Sequence, residues 1–174
     1  MKKTFRRLTI MVFVTIFVGI AGQVSAFANK IVELPDGSKI PVPTSCAVCG
    51  MKIQDETDIH GALVFSSGKV VPFDSISELF RYSLSPDTFG FKPADLKKAF
   101  VVDHDSKKFV EAKDAVYVIG SDSQGMMGPE MHAFSNKSSA EKFVADAKDK
   151  KILVFSQVSL QDVGSKKKTL KMKH

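Results

Sequence analysis

Cys46-Ala47-Val48-Cys49-Gly50-Met51 holds both cysteines of the chain, three residues apart, with a methionine two positions after the second. Two thiols and a thioether form a soft donor set, which selects Cu(I), zinc or an iron–sulfur cluster over Mg²⁺ or Ca²⁺. Gly50 lets the backbone turn tightly between the sulfur donors. A second sulfur-rich stretch is Met126-Met127-Gly128-Pro129-Glu130-Met131-His132. It reads as a loop bounded by Gly125 and Gly128-Pro129, where apolar side chains lack packing partners. Thioether ligation of Cu(I) is one reason to place methionines there, and an adaptable docking surface is another. Met127 is read as a ligand, with Met126 and Met131 shared between core and support of the site. His132 and His60 are further candidate donors, and His104, flanked by Asp103 and Asp105, is a weaker one.

Three readings of the cysteine pair stand open. In an exported chain two cysteines commonly form a disulfide, and a two-residue spacing also suits a thiol–disulfide redox pair. The strand–CxxC–helix context of a redox protein is missing, however. Thr44-Ser45 before the pair and Gly50 after it suggest a knuckle that turns both sulfurs toward one point, as metal ligation needs. A closed tetrahedral zinc site would require two more Cys or His at suitable spacing, and there is no second CxxC. Asp74 reads as part of a helix cap.

Several short elements must position these groups. Pro35-Asp36-Gly37-Ser38 is a turn signal between 30–34 and 39–42, which predicts an edge hairpin. The pattern predicts strands at 60–65 and 69–73, joined by Ser66-Ser67-Gly68. A helix follows, with Ser75 as its cap and Glu78 as the capping-box partner; Ile76, Leu79, Phe80 and Ser83 fall on its apolar face. Strands are expected at 99–103, 109–111, 115–119 (ended by Gly120) and 132–134. A second helix is expected with Ser138 as cap and Glu141 at the third position, and a final strand over 151–156. The repeated order of strands followed by a capped helix predicts an α+β fold: two small ββα-type units, antiparallel sheets each packed with a helix. The expected boundaries are a signal peptide at 1–28, an N-terminal unit with the knuckle at 29–92, a C-terminal unit with the Met-rich stretch at 93–160, and a basic disordered tail at 161–174.

The compartment is read from the N-terminus. Lys2, Lys3, Arg6 and Arg7 precede an uncharged run from Leu8 to Ala21, too short to span a bilayer. Small residues follow at Val24-Ser25-Ala26 and Ala26-Phe27-Ala28, which is the pattern of a cleaved secretory leader. The protein is therefore expected in the periplasm or otherwise outside the cytoplasm, soluble after cleavage. The formal charge of +6 on 174 residues is terminal in origin. Without the four basic leader residues it is +2, and without the five lysines of 165–174 the remainder is −3. No basic face interleaved with aromatics remains, which argues against a nucleic-acid partner. The Lys-rich tail offers at most a weak contact with an anionic membrane surface.

Taken together, Cys46-Ala47-Val48-Cys49-Gly50-Met51, Val101-Val102-Asp103-His104, the run Asp114 to Ser121, Met126-Met127-Gly128-Pro129-Glu130, Ala133-Phe134 and Ala140-Glu141-Lys142-Phe143 resemble the NosL family over roughly residues 43–147. Those are exported copper-binding accessory proteins of nitrous-oxide reductase. The resemblance implies a Cu(I)-binding chaperone rather than an enzyme, with two small ββα-type domains and a client cuproenzyme, nitrous-oxide reductase or another copper client. It implies that Cys49, Met51 and Met127 are ligands, with Cys46, His132 or His60 completing or replacing one. The family's usual N-terminal lipid-bearing cysteine is absent here, which implies a soluble form. Two other classes stay open: a structural or redox protein whose pair is simply bridged, and a mercury- or organomercurial-handling protein. The latter rests on fold relationship alone and needs an acid poised by the thiols, for which Asp74 is the weak candidate.

Overall fold

The computed structural model describes residues 30–125, 128–145 and 150–164. The expected leader, the residues Met126 and Met127, and the lysine-rich stretch 165–174 lie outside them. In chain order the strands are β1 (Lys30–Glu33), β2 (Lys39–Val42), β3 (Thr44–Ser45), β4 (Lys52–Ile53), β5 (Gly61–Phe65), β6 (Val70–Phe73), β7 (Leu96–Val102), β8 (Phe109–Glu111), β9 (Val116–Gly125), β10 (Gly128–Phe134) and β11 (Lys151–Val154). The helices are α1 (Ile76–Ser83), a single turn α2 (Pro86–Phe89) and α3 (Lys137–Val144). The sheets are β1-β2, β3-β4, a four-stranded β6-β5-β7-β8 and a three-stranded β10-β9-β11, with antiparallel pairing throughout. The class is α+β, as the alternation of short strands and capped helices predicts.

The halves are joined more closely than a repeat of independent units would be. β7 and β8, read as opening the second unit, hydrogen-bond to the first sheet through β5. β5 is buried along its whole length, so its sequence Gly-Ala-Leu-Val-Phe is a continuous apolar run rather than an alternation. Gly61 is required where β5 meets α1, since a Cβ there would lie 2.6 Å from Leu79 Cδ1 and 3.2 Å from the Phe100 carbonyl oxygen. On β9 and β10 the two-residue period splits the side chains. Tyr117, Ile119, Met131 and Ala133 enter the main core, whereas Val118 and Phe134 form a smaller core with Ala140 beneath α3. Phe80 of α1 meets Tyr117 edge-on at 4.9 Å and Phe155 at 5.2 Å, so one core serves both sheets.

Two buried polar devices hold this joint. Asp103, immediately after β7, accepts N–H bonds from Ser106 (2.7 Å) and from Ser135 at the end of β10 (2.6 Å). Burial raises its pKa, but these donors more than offset that and hold the carboxyl below its ordinary value. Glu78 and Arg81 form a buried ion pair on α1, and Arg81 also donates to the Val163 and Gly164 carbonyls. The chain thus stays fastened as far as Gly164, with Val163 fully buried, four residues beyond the expected end of the second unit at 160.

Local details differ from the sequence expectation. Ser75 does cap α1, accepting from the Glu78 N–H at 3.2 Å, but the Glu78 carboxylate turns to Arg81 instead of closing a capping box. α3 is capped by Asn136, whose side chain accepts from the Ser139 N–H, and not by Ser138. Glu141 pairs with Lys137 one turn back. β9 does not end at Gly120 but runs to Gly125, and β10 starts at Gly128, with an irregular register between Pro129 and Met131. Much of the expected Met-rich loop is therefore strand, and Met131 is a buried core residue.

Replacing Asn136 by Ala is expected to cost about 1 kcal/mol in urea unfolding, and Ser138→Ala less than about 0.5 kcal/mol. A larger cost for Ser138→Ala than for Asn136→Ala would return the cap to Ser138. Asp103→Asn is expected to cost about 2–3 kcal/mol at pH 7. Because the folded-state pKa is depressed, this contribution is present above the unfolded value of about 3.9 and fades as pH falls through the folded one. The stability difference between wild type and variant should therefore shrink below about pH 4.

Candidate metal centre

The knuckle is a tight loop at the end of a very short hairpin. Thr44 pairs with Ile53 and Ser45 with Lys52. The Cys46 N–H then donates to the Met51 carbonyl at 2.9 Å, and the Gly50 N–H donates back to the Cys46 carbonyl at 3.0 Å. Reversing the chain within this ring needs a left-handed residue, supplied by Gly50 at φ +75° with open space around it. A side chain there would be strained by backbone conformation alone.

This closure sends the two cysteines to different environments. Cys46 is 3% exposed and joins the core, whereas Cys49 is half-buried at its edge. Both are free thiols. Met51 is 40% exposed and points away from the core. Asp74, in the link between β6 and the Ser75 cap, completes the group: the Cys49 S–H donates to Asp74 Oδ2 at 3.2 Å. The two sulfurs and a carboxylate oxygen all lie within 4.8 Å of one another. Asp74 Oδ1 is buried with no hydrogen-bond partner among the described residues.

The electrostatics follow from this packing. Burial pushes the Cys46 thiol up to about 12, although the Cys49, Asp74 and Val48 amides pull the other way. The Cys49 thiol is also raised, first by burial and then by the neighbouring Asp74 carboxylate, against the lowering effect of the Met51 amide and of Cys46. The metal-free site is therefore a neutral dithiol beside a carboxylate. It has two soft donors and one hard donor, with an exposed thioether next to it.

Other candidate donors lie elsewhere. His132 is inside β10 rather than at the start of a strand. It stands on the α3 side, edge-on to Phe143 at 5.0 Å and to His104 at 5.1 Å. Burial lowers its pKa, so the ring is neutral near pH 7. A groove of about 1080 Å³ is lined by His60, His104 and His132 together with Asp74, Ser75 and Glu130. It therefore connects Asp74 with three histidines, although among the described residues the close donor cluster contains none of them. Met126 and Met127 lie outside the described residues, between the paired Gly125 and Gly128 in sequence.

Asp74 is the residue that sequence reasoning placed chiefly in a helix cap and only weakly beside the thiols. Ser75 performs the capping, which frees Asp74 to face Cys49. A carboxylate directly before an N-cap looks like part of the cap, and nothing in a linear reading reports that the knuckle folds against the end of β6.

In the folded protein Cys49 is expected to react with iodoacetamide at pH 8, whereas Cys46 should react only on unfolding. Asp74→Asn should speed Cys49 alkylation severalfold, since removing the carboxylate lowers the thiol pKa. Peptide mapping reads both outcomes; equal labelling of the two thiols in the native protein would contradict the assigned geometry.

The NosL family model matches residues 38–163 of this chain. No curated protein matches the sequence at a significant level. Among solved structures, the crystal structure of the copper chaperone NosL from Shewanella denitrificans is similar with a TM-score of 0.57 and 28% sequence identity, over 68% of this chain and 91% of that one.

Proposed function

Because this chain belongs to the NosL family, we propose that it is a copper-binding chaperone that carries Cu(I) outside the cytoplasm and hands it to a client cuproenzyme. The observation that carries this reading is the outward-facing pair of Cys49 thiol and 40%-exposed Met51 thioether on a rigid loop. The likeness to a copper chaperone supports the identity of the metal. Cu(I) is cargo, held by the Cys49 thiolate with the Met51 and Met127 thioethers. Cys46, His132 and Met126 are the further donors that complete or replace a ligand.

Such a site suits transfer. One thiolate gives affinity for a soft ion, while neutral thioethers bind it weakly and exchange readily. An exposed, low-coordinate ion lets an incoming client sulfur or imidazole bind before the chaperone's ligands leave. Nitrous-oxide reductase is the proposed client, with another copper protein as the alternative. The leader-like residues 1–28 support export, and among the described residues no helix is long and apolar enough to cross a membrane. The lysine-rich end adds a weak attraction to anionic membrane surfaces.

Competition with a Cu(I) chelator tests the ligand set. Cys49→Ser should lose more than the roughly 10–100-fold that outer partners of a metal site are worth, and Met51→Leu and Met127→Leu about 10-fold each. Wild-type affinity in Cys49→Ser would overturn the proposal. The pH dependence counts the thiolates. Both thiols are held protonated near neutrality, so binding must expel a proton from each one used, and affinity falls as pH drops. A slope of about tenfold per pH unit means Cys49 alone; about a hundredfold means both cysteines. Transfer from the loaded protein to copper-free nitrous-oxide reductase, read by recovery of the enzyme's copper absorbance, tests the client.

A further inference from the structure

Carriage of Cu(I) rests on Cys49 and the methionines, with Cys46 only as a completing donor, and gives no role to the carboxylate that converges on the same sulfur. Cys46 is buried and held by both of its backbone groups, so its sulfur sits at a defined place next to Cys49. The carboxylate is the hard member of the cluster. Oxygen donors suit a cupric ion, while thiolates suit the cuprous one. The cluster thus joins a donor that suits the cupric ion with donors that suit the cuprous one. The two cysteines are three residues apart in a tight turn, which brings Cα atoms to under roughly 7 Å, within the range a disulfide spans without backbone movement. The sulfurs start within 4.8 Å, so rotation of the side chains closes the remaining gap.

We propose that the Cys46–Cys49–Asp74 cluster is a cupric-ion reduction site, in which the two thiols reduce Cu(II) stoichiometrically and become a disulfide. This goes beyond Cu(I) carriage: it adds Asp74 as a ligand for Cu(II) and makes the thiol pair an electron donor. Asp74 seats the incoming Cu(II) beside the half-buried Cys49. Two cupric ions each accept one electron and leave as Cu(I). The pair gives up two electrons and two protons, the S–H bonds break, and one S–S bond forms between Cys46 and Cys49. The protons pass to water. The oxidised knuckle no longer offers a Cys49 thiolate, so the disulfide form cannot retain Cu(I) through that ligand. A dithiol reductant must then restore the pair by thiol–disulfide exchange.

The test mixes the reduced, metal-free mature protein anaerobically with copper(II) sulfate and a Cu(I)-specific chromogenic chelator. The expected result is two Cu(I) per chain, a 2 Da mass loss, and a mapped Cys46–Cys49 bridge. Asp74→Asn should slow the reduction at least tenfold. Cys46→Ser should yield no intramolecular bridge. Three results would overturn the proposal: a persistent Cu(II) electron-paramagnetic signal with both thiols intact, bridges only between chains, or a urea-unfolded chain that reduces Cu(II) as fast as the folded one. The two functional readings fail separately. Cu(I) binding without Cu(II) reduction sinks only this proposal, and reduction without Cu(I) affinity sinks only the chaperone reading.

Discussion

Two hydrogen bonds on the backbone of Cys46 organise the candidate site. Its N–H reaches the Met51 carbonyl and its carbonyl receives the Gly50 N–H, which closes a six-residue ring at the tip of a hairpin only two residues long on each side. Each bond is worth only about 1 kcal/mol net, so so short a hairpin would not persist on its own. What holds it is burial: Cys46 and Ile53 both enter the main core. The ring converts that anchorage into a fixed presentation of the neighbouring groups, with the Cys49 thiol at the edge and the Met51 thioether outside.

The rest of the fold supplies the opposite wall. Asp74 belongs to the link between β6 and α1, and its position is decided by how α1 sits. α1 is placed by Gly61, which permits its close approach to β5, by the Phe80–Tyr117 contact with the second sheet, and by the buried Glu78–Arg81 pair that grips the C-terminal segment. Breaking a buried pair on one side strands the other charge. The far end of the chain is thereby made part of what positions Asp74. The Asp103 bonds to Ser106 and Ser135 do the same for β10, whose residues Glu130 to Ala133 form one wall of the groove containing Asp74.

The electrostatic outcome is a compromise between storage and release. Burial and the carboxylate keep the thiols protonated when no metal is present, which protects a sulfur site from premature oxidation. In the proposed carriage of Cu(I), the same features make metal binding compete with protons, which favours release of a soft ion over retention by a bare thiolate pair. The exposed Met51 leaves a direction from which a second protein's donor can approach.

Much of this was legible along the chain because it depends on local rules. The Cys-x-x-Cys-Gly-Met spacing, the need for glycine at position 50, the Ser75 cap and the α+β class follow from residue type and short-range geometry. The α3 cap was misplaced by two residues because Asn136 and Ser138 are both good caps, and only the strand that delivers the chain decides between them. Membership of β7 and β8 in the first sheet was not legible, and the burial of Met131 and the approach of Asp74 to the cysteines were legible only in part, since each depends on contacts between segments tens of residues apart. By itself the sequence determined the donor atoms and their local order, because backbone turn chemistry acts over a few residues. Only the tertiary structure decided that one thiol is buried, the other is at the edge, and a carboxylate faces both, because burial and proximity are properties of packed elements and not of neighbours in the chain.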